Sequence, residues 1–142
     1  MGMYTKKTHS SERRVLQRGL TLIEITVVIA VLITLVGVSM YAVGGYKEWK
    51  LGSAASAELR KVYNAQRTYL AENPTEPVSS LTAAKIVPYL SDGATSLPTV
   101  EGMDGNTYSI KVNVSPPVVE DSGGGAYDPS GSDDDGLWDV GG

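Results

Sequence analysis

The side chain with the most unusual surroundings in this sequence is Glu24, a carboxylate inside a long apolar stretch. The stretch begins at Leu20, and no charged residue lies between Glu24 and Lys47. Its uncharged part, Ile25 to Tyr46, has 22 residues. As a helix it would be about 33 Å long, enough to cross the hydrocarbon core of a membrane. A carboxylate at that position is costly unless it has a partner, so Glu24 is a candidate functional residue.

A cut in the chain after Gly19 would give Glu24 such a partner. Leu20 would then carry a free α-amine, a positive charge about one helical turn from the carboxylate. The two charges could pair within one subunit or between neighbouring subunits of a bundle. Because a buried charge is tolerated only with a partner, a helix of this kind favours ordered assembly.

The N-terminal segment resembles that of type IV pilins and type II secretion pseudopilins. The resemblance rests on the basic leader ending in Gly19, the residues Leu20-Thr21-Leu22-Ile23-Glu24-Ile25, and the long apolar helix, and it is strong over residues 13–72. It implies cleavage after Gly19 by the prepilin peptidase and N-methylation of Leu20. It also implies that Glu24 and Thr21 help to add the next subunit to a helical filament. Leu20 departs from the phenylalanine of most members.

Two other kinds of N-terminal segment share part of this pattern. A secretory signal peptide also has a basic start, but its apolar core is only about 7–15 residues long. The cleavage-like triplet Ala55-Ser56-Ala57 lies about eleven residues beyond the apolar run. A plain single-pass anchor explains the apolar run and its basic flank. It explains neither Gly19 nor Glu24.

Charge is divided unequally between the leader and the rest of the chain. Residues 1–19 hold five basic residues and Glu12, a net charge of +4. The whole chain carries −4, so the part after residue 19 carries −8. By the positive-inside rule the leader is cytoplasmic and the domain after the helix is exported. So acidic a domain is not expected to bind nucleic acid.

The residue types present exclude most kinds of catalysis. The sequence has no cysteine, and its one histidine, His9, lies in the leader. Nucleophile–base pairs that use Cys or His are therefore excluded after residue 19, and no spacing suggests Ser–Lys or paired-carboxylate chemistry. We predict that the protein is not an enzyme. The lack of cysteine favours the pseudopilin branch of the family, where disulfide-free members are common.

The chain after the leader divides into a helix with two halves and a small head. Residues 20–46 are the predicted membrane and assembly helix, with Tyr46 and Trp49 as aromatic anchors beside Lys47, Glu48 and Lys50. Residues 47–72 continue it as an amphipathic helix that ends before Pro74. One stripe of this half has helical spacing and is expected to face the head domain: Leu51, Ala55, Leu59, Val62, Gln66, Tyr69.

Residues 73–142 are the predicted head. Thr82 to Val87 is expected to be a short helix, and residues 97–114 a β-hairpin. Its arms are Leu97 to Met103 and Thr107 to Val114, joined by the turn Asp104-Gly105-Asn106. Alternation in the second arm places three residues against the helix stripe: Tyr108, Ile110, Val112.

The C-terminal segment, residues 115–142, has seven acidic residues from Glu120 onward and no basic residue. One interpretation is an acidic, partly disordered tail. The other is a Ca²⁺ site with oxygen ligands from Asp128, Asp133, Asp134 and Asp135. Major pseudopilins bind calcium in a similar Asp-rich loop, although the spacing here does not fit an EF-hand. In either case the apolar residues Leu137, Trp138 and Val140 predict that the chain end packs on the domain.

These features predict an α+β fold: one long N-terminal helix with a small antiparallel sheet of two to four strands on its outer half. The expected function is a structural subunit of a helical filament, foremost a type II secretion pseudopilus. A type IV pilus subunit and a single-pass membrane-anchored periplasmic binding protein are the alternatives. The resemblance implies an inner-membrane protein with a periplasmic head, which then enters a periplasmic or surface filament. It implies as partners other copies, minor pilin-like subunits, the prepilin peptidase, the inner-membrane assembly platform and membrane lipid.

Overall fold

The structure is a computed structural model that describes residues 1–3, 19, 21–133 and 135–141. Most of the predicted leader, and the candidate site residues Leu20 and Asp134, lie outside the described residues. The chain divides into two compact units, residues 1–38 and 39–142. Its elements are a long helix, short helical turns and a small antiparallel sheet, so the predicted α+β class is confirmed.

Helix α1 runs from Leu22 to Glu72. Its end agrees with the prediction, because Pro74 disfavours a helical conformation at Asn73. Both the backbone N–H and the side-chain amide of Asn73 donate to the carbonyl of Tyr69, at 3.0 Å each. The predicted stripe is also confirmed. Four of its residues are at most 1% exposed, and the two at its ends are half-buried: Ala55, Leu59, Val62, Gln66; Leu51, Tyr69.

The sheet has three antiparallel strands in the order β1–β2–β3: Val100–Glu101, Thr107–Lys111 and Val118–Glu120. Strands β1 and β2 form the predicted hairpin, with Val100 opposite Tyr108. Gly105 takes a positive φ of 79° in the turn, and the Asp104 carboxylate accepts the Asn106 N–H at 3.1 Å. Both arms are shorter than predicted. Pro98 interrupts the first, since proline cannot donate to a strand ladder.

Strand β3 differs from the prediction, which placed no strand after Val114. It pairs with β2, with Val119 opposite Ile110 and Val118 opposite Lys111. Pro116 and Pro117 come directly before it, and proline is tolerated at the start of a strand although not in its interior. Three residues are also too few for an alternating pattern to be recognised.

The core of residues 39–142 lies between α1 and the sheet. Ile110, Val112 and Val119 are buried and belong to one apolar cluster with the α1 stripe. The buried amide of Gln66 donates from Nε2 to the carbonyl of Val112 at 2.9 Å and to that of Val114 at 2.7 Å. These carbonyls lie beyond the end of β2, so the helix replaces the strand partner that they lack.

Trp138 anchors the C-terminal segment on α1. Its side chain is 2% exposed and meets Tyr127 edge to face, with ring centroids 5.2 Å apart. Its backbone N–H donates to the carbonyl of Gly52 at 3.2 Å. The residue has a left-handed φ of 64°, a conformation that costs a bulky residue about 1–3 kcal/mol. Packing must therefore supply more than this cost.

Two side chains of α1 hold the same segment through its backbone. Ser56 Oγ donates to the carbonyl of Gly136 at 2.8 Å, and Arg60 Nε donates to that of Val140 at 2.9 Å. The prediction that the chain end packs on the domain is confirmed.

Three short helical turns follow the loop after α1: Val78–Ser80, α2 (Ala83–Ile86) and Val87–Tyr89. Glu76 joins the loop to the first two of them. These turns confirm the short helix expected near Thr82 to Val87. The Glu76 carboxylate pairs with the ammonium of Lys85 and accepts the hydroxyls of Tyr69 at 2.5 Å and Ser80 at 2.9 Å. These hydrogen bonds, that from Lys85 foremost, lower the pKa of Glu76 from 4.5 to about 2.

Gly52 is the position where the C-terminal contact can be tested. A Cβ there would lie 2.8 Å from Trp138 Nε1 and 2.9 Å from Leu137 Cβ, whereas at Gly45 it would meet nothing within 4 Å. We expect Gly52→Val to lower the free energy of unfolding by about 1–3 kcal/mol through overpacking. Gly45→Val should be nearly neutral. Urea unfolding of the full chain in detergent micelles, followed by tryptophan fluorescence, measures both, and equal stabilities would contradict the contact.

The lowered pKa of Glu76 makes its contribution to stability depend on pH. A carboxylate whose pKa falls on folding stabilises the protein fully above its ordinary pKa of 4.5, and the effect is lost as the pH falls from there toward about 2. The melting temperature should therefore be higher for the wild type than for Glu76→Gln at neutral pH. The difference should nearly vanish by about pH 2. Glu48→Gln is the control, and a difference independent of pH would refute the assignment.

Candidate functional site

Helix α1 begins with a reciprocal pair of polar side chains, Thr21 and Glu24. The Glu24 carboxylate accepts the backbone N–H of Thr21 at 2.7 Å and its hydroxyl at 3.0 Å, both through Oε2. In return, Thr21 Oγ1 accepts the backbone N–H of Glu24 at 3.2 Å. This is a capping box, in which two side chains satisfy amide groups that the first turn of a helix leaves unpaired.

The capping role of Glu24 could have been found in the sequence. A Thr-x-x-Glu pattern directly before an apolar run is a known start signal for a helix. The sequence interpretation gave Glu24 an electrostatic partner instead, the α-amine of Leu20. Leu20 lies outside the described residues, and that amine exists only after cleavage, so this pairing stays a prediction.

Gly19, the residue before the candidate cut, lies outside any helix or strand. Gly19 and Thr21 are exposed and precede the first residue of α1, Leu22. A protease binds its substrate in an extended form, so a position outside the helix is chemically suitable for cutting. The structure thus brings Thr21 and Glu24 together and leaves Gly19 free of secondary structure.

The first half of α1 exposes its apolar side chains. From Leu22 to Tyr41 the large ones are 43–88% exposed. Within the described residues, one helix, α1, is long and apolar enough to cross a membrane, and none of its most apolar stretch is buried by the protein. A continuous exposed apolar surface of this size is typical of contact with lipid or with another protein.

The aspartates proposed as calcium ligands stabilise local turns. Asp128 Oδ1 accepts the N–H of Ser130 at 3.0 Å and its hydroxyl at 2.6 Å. Asp135 Oδ1 accepts the N–H of Leu137 at 2.9 Å, and Asp133 is exposed. Among the described residues, which do not include Asp134, no three carboxylates or imidazoles come together as a metal site. The calcium hypothesis stays a prediction.

A cavity of about 400 Å³ lies beside these turns in residues 39–142. Its walls include Pro117, Tyr127 and Trp138, and two of the candidate ligands, Asp128 and Asp133, line it together with Asp139. Neither Asp139 Oδ2 nor Trp138 Nε1, both buried, has a hydrogen-bond partner among the described residues. The sequence did not predict that Tyr127 and Asp139 line one cavity, because nothing in the spacing of these residues indicates that they lie close together.

Comparison with family models, with curated proteins and with solved structures finds no match to this chain.

Proposed function

We propose that the protein is a structural subunit of a helical filament, made from a precursor that is cut after Gly19. A pseudopilus of the type II secretion kind fits best. The observation that carries the proposal is an exposed apolar helix surface with a single carboxylate, Glu24, five residues after a cleavage-type glycine. In this proposal the apolar half of α1 lies in the inner membrane before assembly and among other copies afterwards.

The apolar surface and the carboxylate need different partners. Lipid chains can cover the apolar side chains of residues 22–46, but they cannot solvate a carboxylate. The α-amine of a cleaved Leu20 can neutralise it, from the same copy or from a neighbour. In the described residues, Glu24 Oε1 accepts no hydrogen bond, since both bonds from Thr21 go to Oε2. The cap and an ion pair can therefore coexist.

The lack of cysteine favours a pseudopilus subunit over a type IV pilus subunit, because disulfide-free members are common among pseudopilins. A single-pass membrane-anchored binding protein is the second candidate. The observation that favours it is the cavity of about 400 Å³, within the usual size range of small-molecule sites and lined by aromatic and apolar side chains together with three aspartates. Such a protein would need neither the cut after Gly19 nor the charge of Glu24.

Processing is the first test. Protein isolated from its native membrane should begin at Leu20 and carry one additional methyl group on the α-amine. Intact-mass analysis and sequencing of the N-terminal peptide measure both features. A chain that keeps residues 1–19 would contradict the filament proposal and favour the anchored binding protein.

Two variants separate the charge of Glu24 from its capping role. Glu24→Gln keeps an acceptor for Thr21, because glutamine also serves in a capping box, whereas Glu24→Ala removes both charge and cap. If the carboxylate pairs with an amine during assembly, both variants should insert in the membrane and fail to form filaments. Electron microscopy and cross-linking of membranes measure this. Normal filaments from Glu24→Gln would mean that assembly needs the cap and not the charge of Glu24. Normal filaments from both variants would mean that assembly needs neither.

A further inference from the structure

A second surface of α1 lies where its apolar residues give way to polar ones. Tyr46 and Trp49 are 63% and 57% exposed, and their ring centroids are 6.1 Å apart. Lys47 and Lys50 are interleaved with them. The two aromatic residues have the i, i+3 spacing that places two side chains on the same side of a helix, and so do the two lysines.

The arc formed by these four residues excludes the neighbouring acid. At about 100° per residue, Tyr46, Lys47, Trp49 and Lys50 occupy an arc of roughly 160°. Glu48 lies outside the arc, about 100° from Lys47. It faces a different groove, together with Tyr41 and Gly45. The arc therefore presents two aromatic rings and two positive charges without a carboxylate between them.

The two lysines differ from every other lysine of residues 39–142. Lys61 pairs with Glu58, Lys85 with Glu76, and Lys111 with Glu120. Lys47 and Lys50 have no ion pair or hydrogen bond in the described part of the chain. This is unusual because residues 39–142 hold 14 acidic side chains and only seven basic ones. Three of the five lysines of residues 39–142 are thus paired with an acid of the chain, and Lys47 and Lys50 are available to a ligand outside it.

Lys47 is exposed and lies one turn before Leu51, where the packed stripe begins. Its ammonium group is therefore accessible to a ligand outside the chain. At membrane surfaces, long basic side chains lay their methylene stems along apolar surface and keep the charged group at the polar boundary. Lys50 is exposed, and one turn away on the same side of the helix.

We infer that Lys47 and Lys50 bind the phosphate groups of anionic phospholipids on the side of the membrane that bears residues 51–142, with Tyr46 and Trp49 at the depth of the lipid glycerol. Aromatic rings with a polar edge favour that depth, and lysines near an anionic bilayer surface are attracted to it. The inference rests only on the membrane-spanning part of the proposed function. It does not depend on cleavage or on filament assembly.

Trp49 provides the readout, since the chain has two tryptophans and the other, Trp138, is buried. The full chain is reconstituted in phosphatidylcholine vesicles that contain brominated phosphatidylglycerol or brominated phosphatidylcholine at equal mole fraction. Bromine quenches tryptophan only at close range. The signal of Trp49→Phe, which changes an exposed residue, is subtracted as the contribution of Trp138.

We expect stronger quenching by the brominated anionic lipid, equivalent to a roughly fivefold preference from each lysine and reduced by salt. Lys47→Gln with Lys50→Gln should abolish the preference without changing quenching by brominated phosphatidylcholine. Lys61→Gln is the matched control, since that lysine already pairs with Glu58, and it should change nothing.

The other outcomes separate this inference from the proposed function. Equal quenching by the two brominated lipids places Trp49 at the membrane but overturns the anionic preference, and so does a preference that survives the double substitution. No quenching by either lipid overturns the inference by removing Trp49 from the interface. Alkaline extraction of the same vesicles then shows whether residues 22–46 are inserted, because an inserted chain stays with the lipid and a peripheral one is released.

Discussion

The head of this protein depends on one contact, the packing of the α1 stripe against the sheet. The three strands have two, five and three residues, too short to be stable by themselves. No disulfide is available, because the chain has no cysteine. The helix supplies the missing half of the core through Leu59 and Val62, and Gln66 donates to two carbonyls just beyond the end of β2, those of Val112 and Val114. The C-terminal segment closes on the same helix through Trp138 and Gly52.

This arrangement uses the apolar surface of α1 in two ways. The apolar stripe of its second half packs in the core of residues 39–142. Those from Leu22 to Trp49 stay exposed, so the free energy of burying them is available for lipid or for other copies of the chain. A subunit that must leave a membrane and join a filament needs such an exposed apolar surface, because it exchanges one apolar environment for another. The half of the helix that the fold leaves uncovered therefore supports the proposed function.

Sequence patterns predicted the parts of the fold that have a clear hydrophobic period or a residue that ends or turns an element. The stripe from Leu51 to Tyr69 repeats over five turns, and Pro74 ends the helix. Asp104-Gly105-Asn106 fixes the hairpin turn. Strand β3 was missed because its three residues follow two prolines and have no period of their own. The roles of Asp128 and Asp135 were also beyond prediction, because an aspartate that caps a turn and one that binds a metal have the same local sequence.

Glu24 shows where sequence and structure give complementary information about the candidate site. Its position in the apolar sequence indicated that its charge needs a partner, and the structure adds its hydrogen bonds to Thr21. A glutamine would cap the helix equally well, so capping alone gives no reason for a carboxylate beside an apolar stretch, where an ionised group is costly. A glutamate is favoured only if its charge has a use. In the proposed filament, cleavage supplies that use at the moment when it creates the amine of Leu20: a residue that first defines where the helix starts then becomes the counter-charge for the new N-terminus.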